Sequence, residues 1–260
     1  MSLFRIRCFG VGDGLASADR FHSSYLHHLG GSSLLIDCGE PVSRSFKAAG
    51  LDYDSVDAIF LSHLHSDHFA GFLMLMQSFW LEKRRRELSI YLPADAIPRV
   101  RELLTGVYLF PELLPFPVKY EALRAGEAIK VGGVRITPSP TTHLEQLRGR
   151  FQAKYPGDYQ AFCFLLEADG LRVVQSCDLG APEDLKPLLE QPVDMLVCEV
   201  SHFTPESLFD FLKGREIRRL SLVHISRPLW QKRDALLEQA KRALPKVTVS
   251  IAKDGDVFEG

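Results

Sequence analysis

Three imidazoles and a carboxylate fall within six residues at His63-Leu64-His65-Ser66-Asp67-His68, directly after the apolar run Ala58-Ile59-Phe60-Leu61 and before the apolar stretch 69–81. The short run reads as a strand and the longer one as a helix, so the polar hexad occupies a strand-to-helix loop. In an extended stretch alternate side chains point one way, and the following turn redirects the rest. His63 and His65 can then grip one ion while Asp67 and His68 face a second, and imidazole with carboxylate suits zinc and related transition metals. An ordinary surface loop would not gather four such groups at this spacing.

Two ions need more donors, and histidines or acids that end apolar strands are the natural source. His143 follows Val134-Arg135-Ile136-Thr137-Pro138, Asp178 follows Leu171-Arg172-Val173-Val174-Gln175-Ser176-Cys177, and His224 follows Leu220-Ser221-Leu222-Val223. Each alone also reads as a satisfied strand-end polar group. Beside the hexad, they are expected to gather at one rim of the sheets, with Asp178 bridging two ions and His143 and His224 completing one coordination sphere each, around a shared hydroxide.

Strand candidates at 4–9, 33–37, 58–61, 88–92, 128–131, 134–138, 161–167, 171–176, 195–199, 220–224 and 247–251 alternate with helical stretches at 41–49, 69–83, 94–104, 182–189, 205–212 and 231–244. Pro182 and Pro205 suit a first helical turn, and Asp169-Gly170 marks a hairpin. No Ser/Gly-rich or proline-rich linker divides the chain, so 1–260 is read as one α+β domain with helices outside two facing sheets. Gly10-Val11-Gly12-Asp13-Gly14-Leu15 lacks the third glycine of a dinucleotide fingerprint and reads as a flexible, close-packed loop.

A net charge of −2 argues against a global polyanion-binding surface. The run 69–81 is shorter than the roughly 20 apolar residues that cross a bilayer. The charged, strand-like start Met1-Ser2-Leu3-Phe4-Arg5-Ile6-Arg7 is unlike a secretory signal, and a cytoplasmic location is expected. The five cysteines, without CxxC spacing, read as buried reduced thiols.

The hexad with His143, Asp178 and His224 resembles the metallo-β-lactamase superfamily, in matching order along nearly the whole chain. The resemblance implies a four-layered αβ/βα sandwich with the metals at one sheet edge. It implies His63, His65 and His143 on one ion, Asp67, His68 and His224 on the other, and Asp178 between them. Ile36-Asp37-Cys38-Gly39-Glu40 and His224-Ile225-Ser226-Arg227 resemble the ribonuclease Z branch, which includes small phosphodiesterases. That branch usually carries a long tRNA-gripping arm between the positions of His143 and Asp178. Only 34 residues intervene here, which disfavours tRNA and favours a small phosphodiester.

Glu199 ends the strand at 195–199 and resembles the strand-end glutamate of that branch. It could orient His202, whose near-neutral pKa would suit protonating a leaving oxygen. The alternative is that His202 caps the helix near Pro205. Arg227 could clamp a phosphate oxygen or simply face solvent. Arg20, Phe21 and His22 fall in a long loop after the first strand and stay outside the proposed ligands. Lys83-Arg84-Arg85-Arg86 reads as a solvated helix C-terminus rather than a nucleic-acid patch, and Met74, Met76, Phe79 and Trp80 as a helix core face. The expected activity is phosphodiester hydrolysis with two divalent ions, zinc first, with manganese or iron(II) suiting the same donors. Rival readings are a thioester, lactone or amide hydrolase on another small-molecule substrate, and an iron-dependent oxidoreductase. A homodimer is compatible with the sequence.

Overall fold

The computed structural model describes residues 4–260, so the first three residues of the strand-like start lie outside the described residues. The first sheet is built from β1 (Phe4–Gly10), β2 (Ser24–Leu29), β3 (Ser32–Ile36), β4 (Ala58–Phe60), β5 (Leu88–Leu92) and β6 (Val118–Ala122), paired in that order. The second contains β7 (Ile129–Val131), β8 (Val134–Thr141), β9 (Ala161–Ala168), β10 (Leu171–Gln175), β11 (Val193–Val200), β12 (Ile217–Ile225) and β13 (Thr248–Ile251), again in order. The last strand, β14 (Val257–Glu259), returns to the first sheet beside β1.

Each sheet begins with antiparallel pairs and continues in parallel, from β3 to β6 and from β10 to β13. Helices α1 (Val42–Ala48), α2 (Ser66–Phe69), α3 (Gly71–Leu81) and α4 (Ala96–Gly106) accompany the first sheet. The others, α5 (Glu145–Phe151), α6 (Pro205–Leu212), α7 (Arg227–Gln231) and α8 (Arg233–Ala243), accompany the second. The layers follow from where apolar side chains can hide. Ile6, Leu34, Phe60, Phe164, Val197 and Val223 fill the space between the sheets. Phe46, Phe72 and Phe79 lie under the first outer helical layer, and Leu208, Phe209 and Leu236 under the second. Phe60 and Phe164, one from each sheet, meet edge-on with centroids 5.6 Å apart, and each side chain so buried contributes about 1.5–3 kcal/mol. This is the four-layered αβ/βα sandwich that the resemblance implied.

Central parallel strands are covered on both faces and read as nearly continuous apolar runs, as β11 does. Asp169-Gly170 forms its hairpin with φ of 51° and 79°, as a tight two-residue turn requires. Pro205 opens α6 as expected, whereas Pro182 opens a 3-10 helix, Pro182–Leu188. All five cysteines are buried and free.

Several expectations need correction. The long loop after β1 contains β2, hidden in the sequence because His27 faces inward, where it meets Gln175 at 3.2 Å. Strand β6 and helix α5 were also not expected; β6 is half-exposed at a sheet edge and α5 buries none of its residues, so neither carries an apolar signature. The basic run at 83–86 is a solvated helix end only in part: Lys83, Arg85 and Arg86 are exposed after α3, but Arg84 is not. Arg84 is buried, donating to the carbonyls of Tyr53, Val56, Arg86 and Glu87 between the rings of Phe79 and Phe116. Arg85 and Arg86 bind the Asp54 carboxylate through their backbone N–H groups. The helical face is also only part core, since Met76 and Phe79 are buried while Met74 is exposed.

Candidate metal centre

In open α/β sheets, sites form beyond the carboxyl ends of parallel strands. Here Asp37 follows β3, the hexad follows β4, and Asp178 follows β10, while Glu199 and His224 stand near the ends of β11 and β12. The chain leaves three of these strands through an uncommon conformation. Asp37, Cys177 and His224 have φ of 57°, 47° and 44°, values rare for residues with side chains and often found at functional sites. The turns redirect donors from both sheets toward one edge.

His63, His65, His143 and Asp178 form one group of donor atoms within 4.8 Å of one another; Asp67, His68, Asp178 and His224 form a second. Asp178 belongs to both. Its Oδ2 faces His63 Nε2 at 3.8 Å and His143 Nε2 at 3.6 Å, whereas its Oδ1 faces His68 Nε2 at 3.0 Å and His224 Nε2 at 3.5 Å. In the second group Asp67 Oδ2 lies 3.1 Å from His224 Nε2 and 3.4 Å from His68 Nε2. The structure thus brings all seven expected ligands together.

Burial shapes the charges. Desolvation pushes the pKa of His63, His65 and His143 down, His143 to about 4. Desolvation also opposes protonation of His68, but Asp178 and Asp37 overcome it and hold its pKa well above the ordinary value. His224 is likewise raised against desolvation, by Asp178 and Asp67. Desolvation works against ionisation of Asp67 and Asp178 too, yet the imidazoles around them keep both below the usual carboxylate range.

The donor set fits divalent transition ions. His63 Nε2, His68 Nε2 and Asp178 Oδ1 are buried without a hydrogen-bond partner, and two imidazole nitrogens, His65 Nδ1 and His143 Nε2, face each other at 3.0 Å. Buried polar atoms rarely go unsatisfied, and these converge on common points. The tautomers are set from behind. His68 Nδ1 donates to Asp37 Oδ2 at 2.7 Å; Ser62 Oγ also donates to that oxygen and lies 3.0 Å from His63 Nδ1. Both arrangements leave Nε2 free to ligate. The sequence reading left Asp37 and Ser62 out of the site, although Asp37 does end an apolar strand.

Glu199 is wholly buried and accepts from His202 Nδ1 at 2.8 Å, as well as from the N–H groups of Leu179 and Ser201. It does orient His202. The imidazole keeps 32% of its side chain exposed and turns Nε2 to within 3.8 Å of Asp178 Oδ2. Desolvation works against its charge, but the Glu199 contact prevails and lifts its pKa to about 9. The helix-cap alternative falls, because Thr204 caps α6 by accepting from Ser207 N–H. Arg227 stands outside both ligand groups; its exposed guanidinium lies 3.4 Å from the Ala16 carbonyl. His22 also stays apart, with Nδ1 on the Asp13 carbonyl.

Two histidine-rich groups sharing one aspartate, at the edge of two sheets wrapped in helices, define a metallo-β-lactamase-superfamily hydrolase related to ribonuclease Z. The sequence is 24% identical to ribonuclease Z of Archaeoglobus fulgidus over 95% of each chain. The fold matches the metallo-β-lactamase fold protein YhfI of Bacillus subtilis over the full length of both chains, with a TM-score of 0.78 and 22% identity. It also matches a diphosphatase of the PhnP family over 99% of this chain and 98% of that one, with a TM-score of 0.68 and 16% identity. Residues 4–207 match the family described as Anti-Pycsar protein Apyc1, and the chain belongs to that family.

Proposed function

We propose that the protein is a phosphodiesterase that uses two divalent ions, zinc first among them, on a small phosphodiester. The observation that carries this reading is Asp178, which turns one oxygen toward each group of imidazoles. His63, His65 and His143 would hold one ion and Asp67, His68 and His224 the other, with Asp178 shared. Bound there, the ions supply a nucleophile at neutral pH and polarise the phosphoryl oxygen. Asp67 and Asp178, held ionised among imidazoles, balance the ions' charge. Glu199 fixes His202 by its Nδ1, and His202 keeps its proton at neutral pH for delivery from Nε2 to the departing alkoxide. Arg227, the first residue of α7, is a candidate clamp at the rim of the site.

The likeness to a ribonuclease and to a diphosphatase supports phosphate-ester chemistry. Substrate size follows from the interval between His143 and Asp178, where the short α5, an irregular segment and the β9–β10 hairpin leave no length for an extended arm. We take residues 1–260 as one domain. The test is to measure metal content and turnover of zinc-loaded protein on matched phosphodiester, thioester and lactone panels, alongside Asp178→Ala. Two ions per chain with phosphodiester turnover, and a variant that loses metal and about a thousandfold or more in rate, are expected. Turnover of carbonyl substrates alone, or an Asp178→Ala protein with two ions and full activity, overturns the proposal.

A further inference from the structure

Among the described residues two arginines are buried, and they do different work. Arg84 ties a helix end to the carbonyls of Tyr53, Val56, Arg86 and Glu87, none of them a ligand. Arg20 is 4% exposed and reaches the metal edge. Its Nη1 donates to the carbonyl of Ile225 at 2.6 Å, the residue after His224, and its Nη2 lies 3.5 Å from Asp13 Oδ1. The guanidinium carbon stacks 4.6 Å above the Trp230 ring. The other oxygen of Asp13 accepts from the backbone N–H of Arg227 at 3.1 Å. Arg20 and Asp13 therefore grip the chain on the C-terminal side of His224.

The same segment also holds His224 directly. The Val11 carbonyl accepts from His224 N–H at 2.8 Å, and Val11 is fixed in turn by Asp254, which accepts from the N–H groups of Val11 and Phe21. His224 has a φ of 44°, a conformation that persists only where its surroundings impose it. Gly14, in the middle of the segment, approaches the second group from another side: a Cβ there would lie 3.5 Å from Asp67 Oδ2. Where residues 11–22 approach the ligands, they approach His224 and Asp67, both members of the group that excludes His63, His65 and His143.

We propose that the buried Arg20–Asp13 pair positions His224 and so sets the affinity of the second ion without affecting the first. This rests on the two-ion reading. Arg20 is a positioning residue, since it acts through the backbone at residues 225 and 227 and the chain around them. Supporting groups of this kind change metal affinity by about 10–100-fold when removed.

The test is a titration of metal-free protein with Co2+, following the ligand-field absorption of each equivalent, for the wild type, Arg20→Gln, Asp13→Asn and the remote control Arg84→Gln. We expect Arg20→Gln to weaken the second equivalent by about 10–100-fold and to alter its spectrum, with the first equivalent unchanged. Asp13→Asn, which preserves shape, shows the same pattern to a smaller degree and decides the matter if Arg20→Gln does not fold. Arg84→Gln lowers the unfolding temperature but leaves the second equivalent no weaker relative to the first. A wild-type protein that binds only one equivalent sinks the two-ion reading itself. A wild type with two equivalents, and variants at Arg20 and Asp13 that bind both normally or weaken both alike, sinks the positioning role alone.

Discussion

The two ligand groups share Asp178 yet differ in how the protein prepares them. His63, His65 and His143 are imidazoles whose pKa values burial has lowered, so they are neutral at physiological pH. Asp67, His68 and His224 mix a carboxylate with imidazoles whose pKa values Asp178, Asp37 and Asp67 have raised. The first group meets an ion with free lone pairs. The second must release protons before its nitrogens can ligate. On the proposed two-ion reading, imidazoles and carboxylates gathered at one edge would therefore give two sites of unequal proton cost, with the backing residues Asp37 and Arg20 both behind the costlier one.

The largest effect that can break this contrast is the pH dependence of metal affinity. His68, held well above the ordinary histidine value by Asp178 and Asp37 against desolvation, keeps its proton at neutral pH, and an entering ion displaces that proton. Affinity at the second group should therefore rise with pH from the ordinary histidine value upward, until the raised pKa values are passed. In the first group burial holds all three imidazoles below the ordinary histidine value, His143 at about 4, so they carry no proton to lose at neutral pH. In competition titrations between about pH 6 and 8, the pH-sensitive equivalent should strengthen about tenfold per pH unit for each proton displaced, while the other changes little. Equal slopes for the two equivalents would abolish the distinction.

The same contrast explains what the sequence could and could not reveal. His63, His65, Asp67 and His68 are legible because four donors in six residues need no partner to be noticed. His143, Asp178 and His224 are legible because each ends an apolar strand beside that motif. Their division into two chemical environments is not, because it depends on burial and on Asp37, which reaches His68 across 31 positions of sequence. Arg20 does lie in a loop, but its role was hidden for a related reason: its partners include a carbonyl and a ring more than 200 positions away, on Ile225 and Trp230. Strand β2 and Arg84 were misread because polar side chains buried by pairing, His27 with Gln175 and Arg84 with four carbonyls, look exposed by composition. The apolar layers, which depend on local periodicity, were the more readable part.

His202 sharpens the comparison because it lies outside the two groups that share Asp178, while its donor atom groups with those of Glu199 and His224. Its ring lies 4.5 Å from that of His143 and 5.5 Å from that of His224, between the two groups, while Glu199 secures it from beneath. If it only delivers a proton, His202→Ala should keep both ions and lose about 10²–10⁴-fold in turnover of alkyl phosphodiesters, as general acids commonly contribute. A p-nitrophenyl ester, whose leaving group needs no proton, should be spared most of that loss. Glu199→Gln should behave similarly, with the alkaline limb of the pH profile displaced downward because the contact that raises the His202 pKa is weakened. Loss of metal from His202→Ala, or equal loss on both esters, would instead make His202 a ligand.

A smaller effect separates the groups from behind. Asp37 accepts from His68 Nδ1 and from both the N–H and the hydroxyl of Ser62, so one carboxylate backs His68 directly and His63 only through the serine. Asp37→Asn keeps the shape but removes the charge that raises the His68 pKa, and its amide must turn its oxygen toward either His68 or Ser62. Second-ion affinity should fall about 10–100-fold, and the first by less, because Ser62 can still face His63. The pH slope of the second equivalent should become shallower in the same variant, since His68 then has less hold on its proton. Isothermal titration of metal-free Asp37→Asn with Zn2+ at two pH values reads both quantities, and a first equivalent weakened more than the second would reverse the assignment of Asp37 to the proton-rich group.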